Sequence, residues 1–246
     1  MVAGVTTLEL IVVASAVFVA SFIQVLAGFG FGLLAVPVMT LAISPREAVI
    51  VSTLVSITVT TWQAWHLRRD CVRVLSRRMT AAAFVAMPLG LWIFVAVAED
   101  TLKVALGCAI LVSVALLAKG INLHHVGPGL DIAAGLISGV LNTSVSTNGP
   151  PLVFALQARQ LAPNQFRATI ARVFAWSAVV ALALFVAAGK VTRDGLVGAG
   201  CALPAMWLGQ GLGYPLRKHF HAERFRWLVL VLLTLAAASA IVSALR

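Results

Sequence analysis

Two short stretches of this sequence carry residue types suited to holding an anion. The first is Gly28, Gly30 and Gly32, a glycine at every second position. The second runs from Asn142 through Ser144, Ser146, Thr147, Asn148 and Gly149 to Pro150 and Pro151. Glycine lets backbone N–H groups come close to a ligand, and hydroxyl and amide side chains add further donors. Gln24 and Asn142 stand one helical turn before the respective helix breaks and can face the same space. Arg172 lies inside an apolar run, where arginine is costly and usually functional. Its guanidinium could neutralise an oxyanion through a forked pair of hydrogen bonds. Plainer readings stand beside these: close helix packing for the glycines, a structural turn for Ser144–Gly149, and snorkelling to the interface for Arg172.

Other chemistries lack their residues. The glycine stretch is not a dinucleotide fingerprint, because its spacing is wrong and about 20 apolar residues precede it instead of a strand. All acids, namely Glu9, Glu47, Asp70, Glu99, Asp100, Asp131, Asp194 and Glu223, fall at expected span ends or in loops. No carboxylate is left mid-membrane as a proton relay, and no HExxH or GxSxG motif is present. His66, His124, His125, His219 and His221 lie in or beside loops, without metal-ligand spacing on a helix. Cys71, Cys108 and Cys201 are too few and scattered for a disulfide framework or a metal site, and Cys108 and Cys201 read as small packing residues. The reading is therefore not an enzyme, with no cofactor and no metal.

The elements that must position these residues are membrane helices. The chain has 246 residues, 61% apolar and 11% charged, where a soluble domain carries roughly a quarter charged. That excludes an ordinary cytosolic enzyme, a disordered regulator and a secreted disulfide scaffold. A bilayer core needs about 20 apolar residues of helix. Apolar runs of about that length are Leu10–Ala27, Ala48–Leu67, Met79–Ala98, Leu102–Ala118, Val173–Gly189, Gly195–Gly213 and Leu228–Leu245, all uncharged except for Lys103 in the fourth. The first has no basic residue before it and reads as a span, not a cleavable signal. Leu33–Ile43 and Leu130–Leu156 are apolar but broken by glycine and proline. Broken backbone at membrane depth is tolerated only where protein or a polar cavity surrounds it. The 130–142 part reaches only roughly 20 Å, so with Pro151–Arg159 it reads as a hairpin turning near mid-membrane. Each returning half-helix would aim free N–H groups and a positive dipole end at the turn, a ready anion site.

The broken pieces belong to a repeat. Gly32 and Pro45 lie against Gly149 and Pro163, Ala48–Ser52 against Ala168–Arg172, and Gly90 against Gly213, with offsets of 117, 118, 120 and 123. This alignment pairs Arg172 with Ser52. Basic loops set the orientation. Arg68, Arg69, Arg73, Arg77 and Arg78 place one loop in the cytoplasm, and Arg217, Lys218, Arg224 and Arg226 place another there. These loops occupy different element boundaries of the two halves, as inverted repeats require. Residues 1–120 then form the first transmembrane repeat and 121–246 the second, inverted one, with both termini outside. Trp62, Trp65 and Trp227 beside the basic loops read as an interfacial belt. The fold class is all-α: a polytopic helical membrane protein with two inverted-topology repeats and broken or re-entrant helices.

The run from Ala27 through Gly28, Phe29, Gly30, Phe31 and Gly32 to Pro37, the segment from Asn148 to Leu152, and the duplicated layout resemble the sulfite exporter TauE/SafE family of membrane transporters. The resemblance covers nearly the whole chain. It implies secondary transport of a small sulfur-containing anion such as sulfite, sulfoacetate or another organosulfonate, in the cell (inner) membrane. Asn142–Asn148 departs from the family's pattern, being rich in hydroxyls and amides where glycines are common. The implied partners are a small anionic substrate and the lipid bilayer; the net charge of +10 serves topology, not nucleic acid. The sequence leaves room for a homo-oligomer. Two other readings stand open: transport or conduction of another small solute, and a membrane scaffold without transport. A donor-lined cavity without carboxylates favours the sulfur anion, an acidic cavity favours cations or amines, and no cavity favours the scaffold.

Overall fold

The structure, a computed structural model, describes residues 6–119 and 127–216. The expectations at His124, His125, Arg217, Lys218, His219, His221, Glu223, Arg224, Arg226, Trp227 and Leu228–Leu245 lie outside the described residues.

The described residues are helical, without strands: α1 Thr7–Ala27, α2 Phe31–Met39, α3 Pro45–His66, α4 Arg73–Ala96, α5 Glu99–Lys119, α6 Pro128–Val145, α7 Gly149–Ala158, α8 Pro163–Ala187 and α9 Arg193–Leu216. Local chemistry sets their starts. Thr6 with Glu9, and Ser44 with Glu47, form capping boxes at α1 and α3. Pro45, Pro128 and Pro163 open α3, α6 and α8, where a missing N–H costs nothing. Among the described residues, α1, α3, α4 and α8 are long and apolar enough to cross a membrane. By contrast α2 has 9 residues and α7 has 10. At about 1.5 Å per residue they reach roughly 15 Å, half of a bilayer core of about 30 Å.

Several helices begin earlier than their apolar runs. Helix α4 starts at Arg73 rather than Met79, so Arg73, Arg77 and Arg78 stand on its first turns and not in a loop. Helix α8 starts at Pro163 rather than Val173, which puts both Arg167 and Arg172 on the helix. Arginine is a good helix former, and its long side chain reaches the interface from inside a helix. Hydropathy marks the lipid crossing, not the end of the hydrogen-bonded ladder.

The packing pairs of one half have counterparts in the other. Helix α1 packs on α9 as α6 packs on α4, α3 on α9 as α8 on α4, and α3 and α8 meet each other. Gly213 of α9 lies against Phe22 and Val25 of α1, where a Cβ would collide. Gly90 of α4 lies in the same way against Val140 and Thr143 of α6. The backbones thus approach through small residues, as membrane helices do where dispersion contact drives association. Phe94 of α4 and Phe185 of α8 are fully buried with ring centroids 5.0 Å apart, and anchor the apolar core on the Glu99 side.

A buried ion pair ties the opposite end. Asp131, on the first turn of α6, is 0% exposed and accepts hydrogen bonds from Arg159 at 3.3 and 3.0 Å, with Arg78 at 3.8 Å. This joins α4, α6 and the end of α7 on the arginine-rich face. Cys108 and Cys201 are exposed on their helices instead of packed inside, since each sits on a surface-facing side of α5 or α9.

Candidate functional site

The two broken stretches meet. Helix α1 ends at Gly28, whose φ of 88° is left-handed, and α2 starts after Gly30, at φ 101°. Helix α6 ends at Ser146, also left-handed at φ 55°, and α7 begins at Gly149. Glycine takes such a φ freely, whereas serine there is uncommon and held by its surroundings. Here Ser146 N–H donates to the Asn142 carbonyl and Thr147 N–H to the Leu141 carbonyl, closing the α6 end. Gly32 passes so close to Ser146 that a Cβ on it would strike the Ser146 carbonyl oxygen. Only glycine fits there.

Between them is a partly enclosed cavity of about 30 Å3, room for about two waters. Its lining includes Gln24, Gly30 and Gly32 from the first stretch, with Asn142, Ser146, Thr147, Asn148 and Gly149 from the second. Neither half-helix start is capped by a side chain. The first bond of α2 runs from Leu34 N–H to the Gly30 carbonyl at 3.2 Å, leaving the N–H groups of Phe31, Gly32 and Leu33 unbonded within the helix. Helix α7 offers fewer, because Pro150 and Pro151 have no N–H, and Asn148 supplies a side-chain amide instead. Two positive dipole ends therefore face one small space.

Not every expected residue reaches it. Gly28 borders a neighbouring cleft instead. Ser144 is buried, but its hydroxyl donates to the Val140 carbonyl at 2.7 Å and it does not line the cavity. Thr147 lines the cavity while its hydroxyl donates to the Val145 carbonyl at 3.1 Å, so it turns an oxygen, not a hydrogen, to the space. Arg172 is not among the lining residues. It lies two residues before Phe174, which does line the cavity, and two residues turn a helix by about 200°. Arg172 is half-buried, on the side of α8 that carries the exposed Trp176 and Val179. Counted from the helix starts Pro45 and Pro163, Arg172 falls at the position of Leu54. Likewise Gly32 pairs with Pro150, and Gly28 with Ser146, each 118 residues apart.

Helix α3 supplies what the sequence reading missed: Ser52, Ser56 and Thr60 line the cavity at a spacing of four residues. Three hydroxyls on one face of an apolar span were a visible signal. Ser52 Oγ accepts a hydrogen bond from Ser146 Oγ at 3.1 Å, which leaves its own hydrogen for the cavity. Asn142 donates to the Ser177 carbonyl at 3.2 Å and keeps its second amide hydrogen. Gln24 is 1% exposed, and its Oε1 has no hydrogen-bond partner. No charged side chain lines the cavity, and no group of His, Cys, Asp or Glu among the described residues could hold a metal ion.

Trp65 is exposed and carries Arg68 4.2 Å from its ring, as an interfacial residue would. Trp62 has a second setting: it stacks on His66 at 5.4 Å and meets Tyr214 edge-on at 6.3 Å, bordering the cleft beside Gly28.

No solved structure matches the chain. A probable inner membrane transporter protein, TsaS of Comamonas testosteroni, is 32% identical over 117 residues, 47% of this chain and 46% of that protein. The match thus spans about half the length of that relative. Residues 13–240 match the family described as sulfite exporter TauE/SafE. With that coverage and its long apolar helices, the chain is a multi-pass protein of the cell membrane and belongs to the sulfite exporter TauE/SafE family.

Proposed function

We propose that this chain is a secondary transporter of a small sulfur-containing oxyanion, such as sulfite or the head group of an organosulfonate, bound where α2 and α7 begin. The observation that carries the reading is the convergence of two uncapped half-helix N-termini on a cavity lined by neutral polar groups and free of carboxylates. An anion supplies the acceptors that the N–H groups of Phe31, Gly32 and Leu33 lack. Acidic groups, which would suit a cation or amine, are absent from the lining. The matched packing pairs of the two halves support two repeats, about 1–120 and 121–246, of inverted topology, which can rock around a fixed central site. The partners on this reading are the anion and the bilayer. Family membership and the transporter relative favour transport over catalysis or a scaffold.

The test is uptake and counterflow in proteoliposomes with sulfite, sulfoacetate, taurine and sulfate. Saturable movement of one or more of the sulfur anions is expected. No movement of any of them, with folded protein in the membrane, would overturn the proposal.

A further inference from the structure

The central cavity has no cation, yet a cation stands next to it. Gln24 lines the cavity on one side and a smaller cleft of about 20 Å3 on the other. Gln63, His66, Arg167 and Tyr214 also line that cleft, and His66 and Leu67 bring it to the α3 end that precedes Arg68 and Arg69. Arg167 is held in place: its guanidinium donates to the Leu26 carbonyl at 3.3 Å, and its chain lies across Gly28. A Cβ on Gly28 would come 3.0 Å from the Arg167 Cγ, so glycine gives the side chain its room. Gln24 is buried and lines both spaces.

The corresponding positions of the other half are apolar. Positions 118 residues away replace Gln63 by Ala181, His66 by Leu184 and Arg167 by Val49. Tyr214, beside Gly213, answers to Leu91, beside Gly90. These counterparts belong to the apolar core, next to the buried Phe94–Phe185 pair. One place in the fold is thus packed with apolar side chains, and the matching place is a cleft that carries Arg167 and a few polar side chains. A buried polar group costs free energy unless it is bonded, and apolar side chains would have served packing equally well.

We propose that the cleft is a second, charged subsite for the small oxyanion, on its route between the central cavity and the arginine-rich face, with Arg167 as the cation. This rests on the transport reading above. The anion meets Arg167 first, sheds water against its fork, and passes Gln24 to the half-helix ends.

Kinetics from each face separates this from a purely structural Arg167. In proteoliposomes of defined orientation, initial rates are measured against sulfite presented at one face and then the other. Arg167→Gln raises KM about 10-fold or more at the arginine-rich face and less than about twofold at the opposite face. Arg167→Lys, which keeps the charge but loses the fork, shows a smaller rise at the same face only, and carries the test alone if Arg167→Gln does not fold. Unchanged KM at both faces, or an equal rise at both, overturns the subsite and leaves the transport reading standing. A wild-type protein that moves no sulfur anion overturns both.

Discussion

Gly32 shows how much one residue decides here. Its missing side chain is what lets α2 start against the Ser146 carbonyl. Replacing it by alanine drives a methyl group into backbone that cannot move aside. Gly32→Ala is expected to cost about 1–3 kcal/mol of stability and to separate the two half-helix ends, so the purified variant should melt earlier and lose anion binding. Wild-type melting with wild-type affinity would show that the contact is dispensable. At this scale the sequence was legible where backbone conformation chose the residue: Gln24, Gly30, Gly32, Asn142 and Ser146–Gly149 do meet at one cavity. Arg172, half-buried, does not line that cavity, because a helix turns by about 100° per residue and two positions separate it from Phe174, which does. Ser52, Ser56 and Thr60 were passed over because a hydroxyl is ordinary in an apolar helix, and only their spacing set them apart.

Among the elements, breaks were easier to read than ends. Proline and glycine interrupt the ladder by known mechanisms, so the short α2 and α7 follow from the sequence. Starts such as Arg73 and Pro163 did not, since a helix continues through its charged interfacial turns after leaving lipid. The α4–α6–α7 junction depends on such a turn. Asp131 is buried beneath Arg159, whose side chain is 27% exposed. Asp131→Asn keeps the shape and removes the charge that both arginines face. The loss of a charge-assisted pair is expected to cost about 1–3 kcal/mol, read as a lower melting temperature in detergent, with the Arg159→Gln Asp131→Asn double variant no worse than the single ones. Independent, additive losses would show that the two residues do not act as a pair.

For the molecule as a whole, the paired packing of the halves and the clustering of arginines at one end make a sidedness claim. Native Cys71 lies between α3 and α4, and Thr192 lies between α8 and α9. With Cys108 and Cys201 replaced by serine, a membrane-impermeant maleimide should label Cys71 only from the cytoplasm and Thr192→Cys only from outside. Labelling of both from the same side would remove the inverted arrangement. Matched glycines and prolines point to a duplication in the sequence, and their offset drifts from 117 to 123 along the chain, which blurs its register. The central claim is that the neutral donors around the cavity where the two half-helices begin, Ser52 among them, and not Arg172, hold a sulfur oxyanion. Sulfite dissociation constants of the wild type, Ser52→Ala and Arg172→Ala, measured calorimetrically on purified protein, test it most directly. A hydrogen bond to a charged ligand contributes about 1.5–3 kcal/mol, or roughly 10- to 150-fold in affinity. Ser52→Ala should weaken binding by about 10-fold or more, while Arg172→Ala stays within about twofold of wild type; a large loss at Arg172 with none at Ser52 would contradict the account.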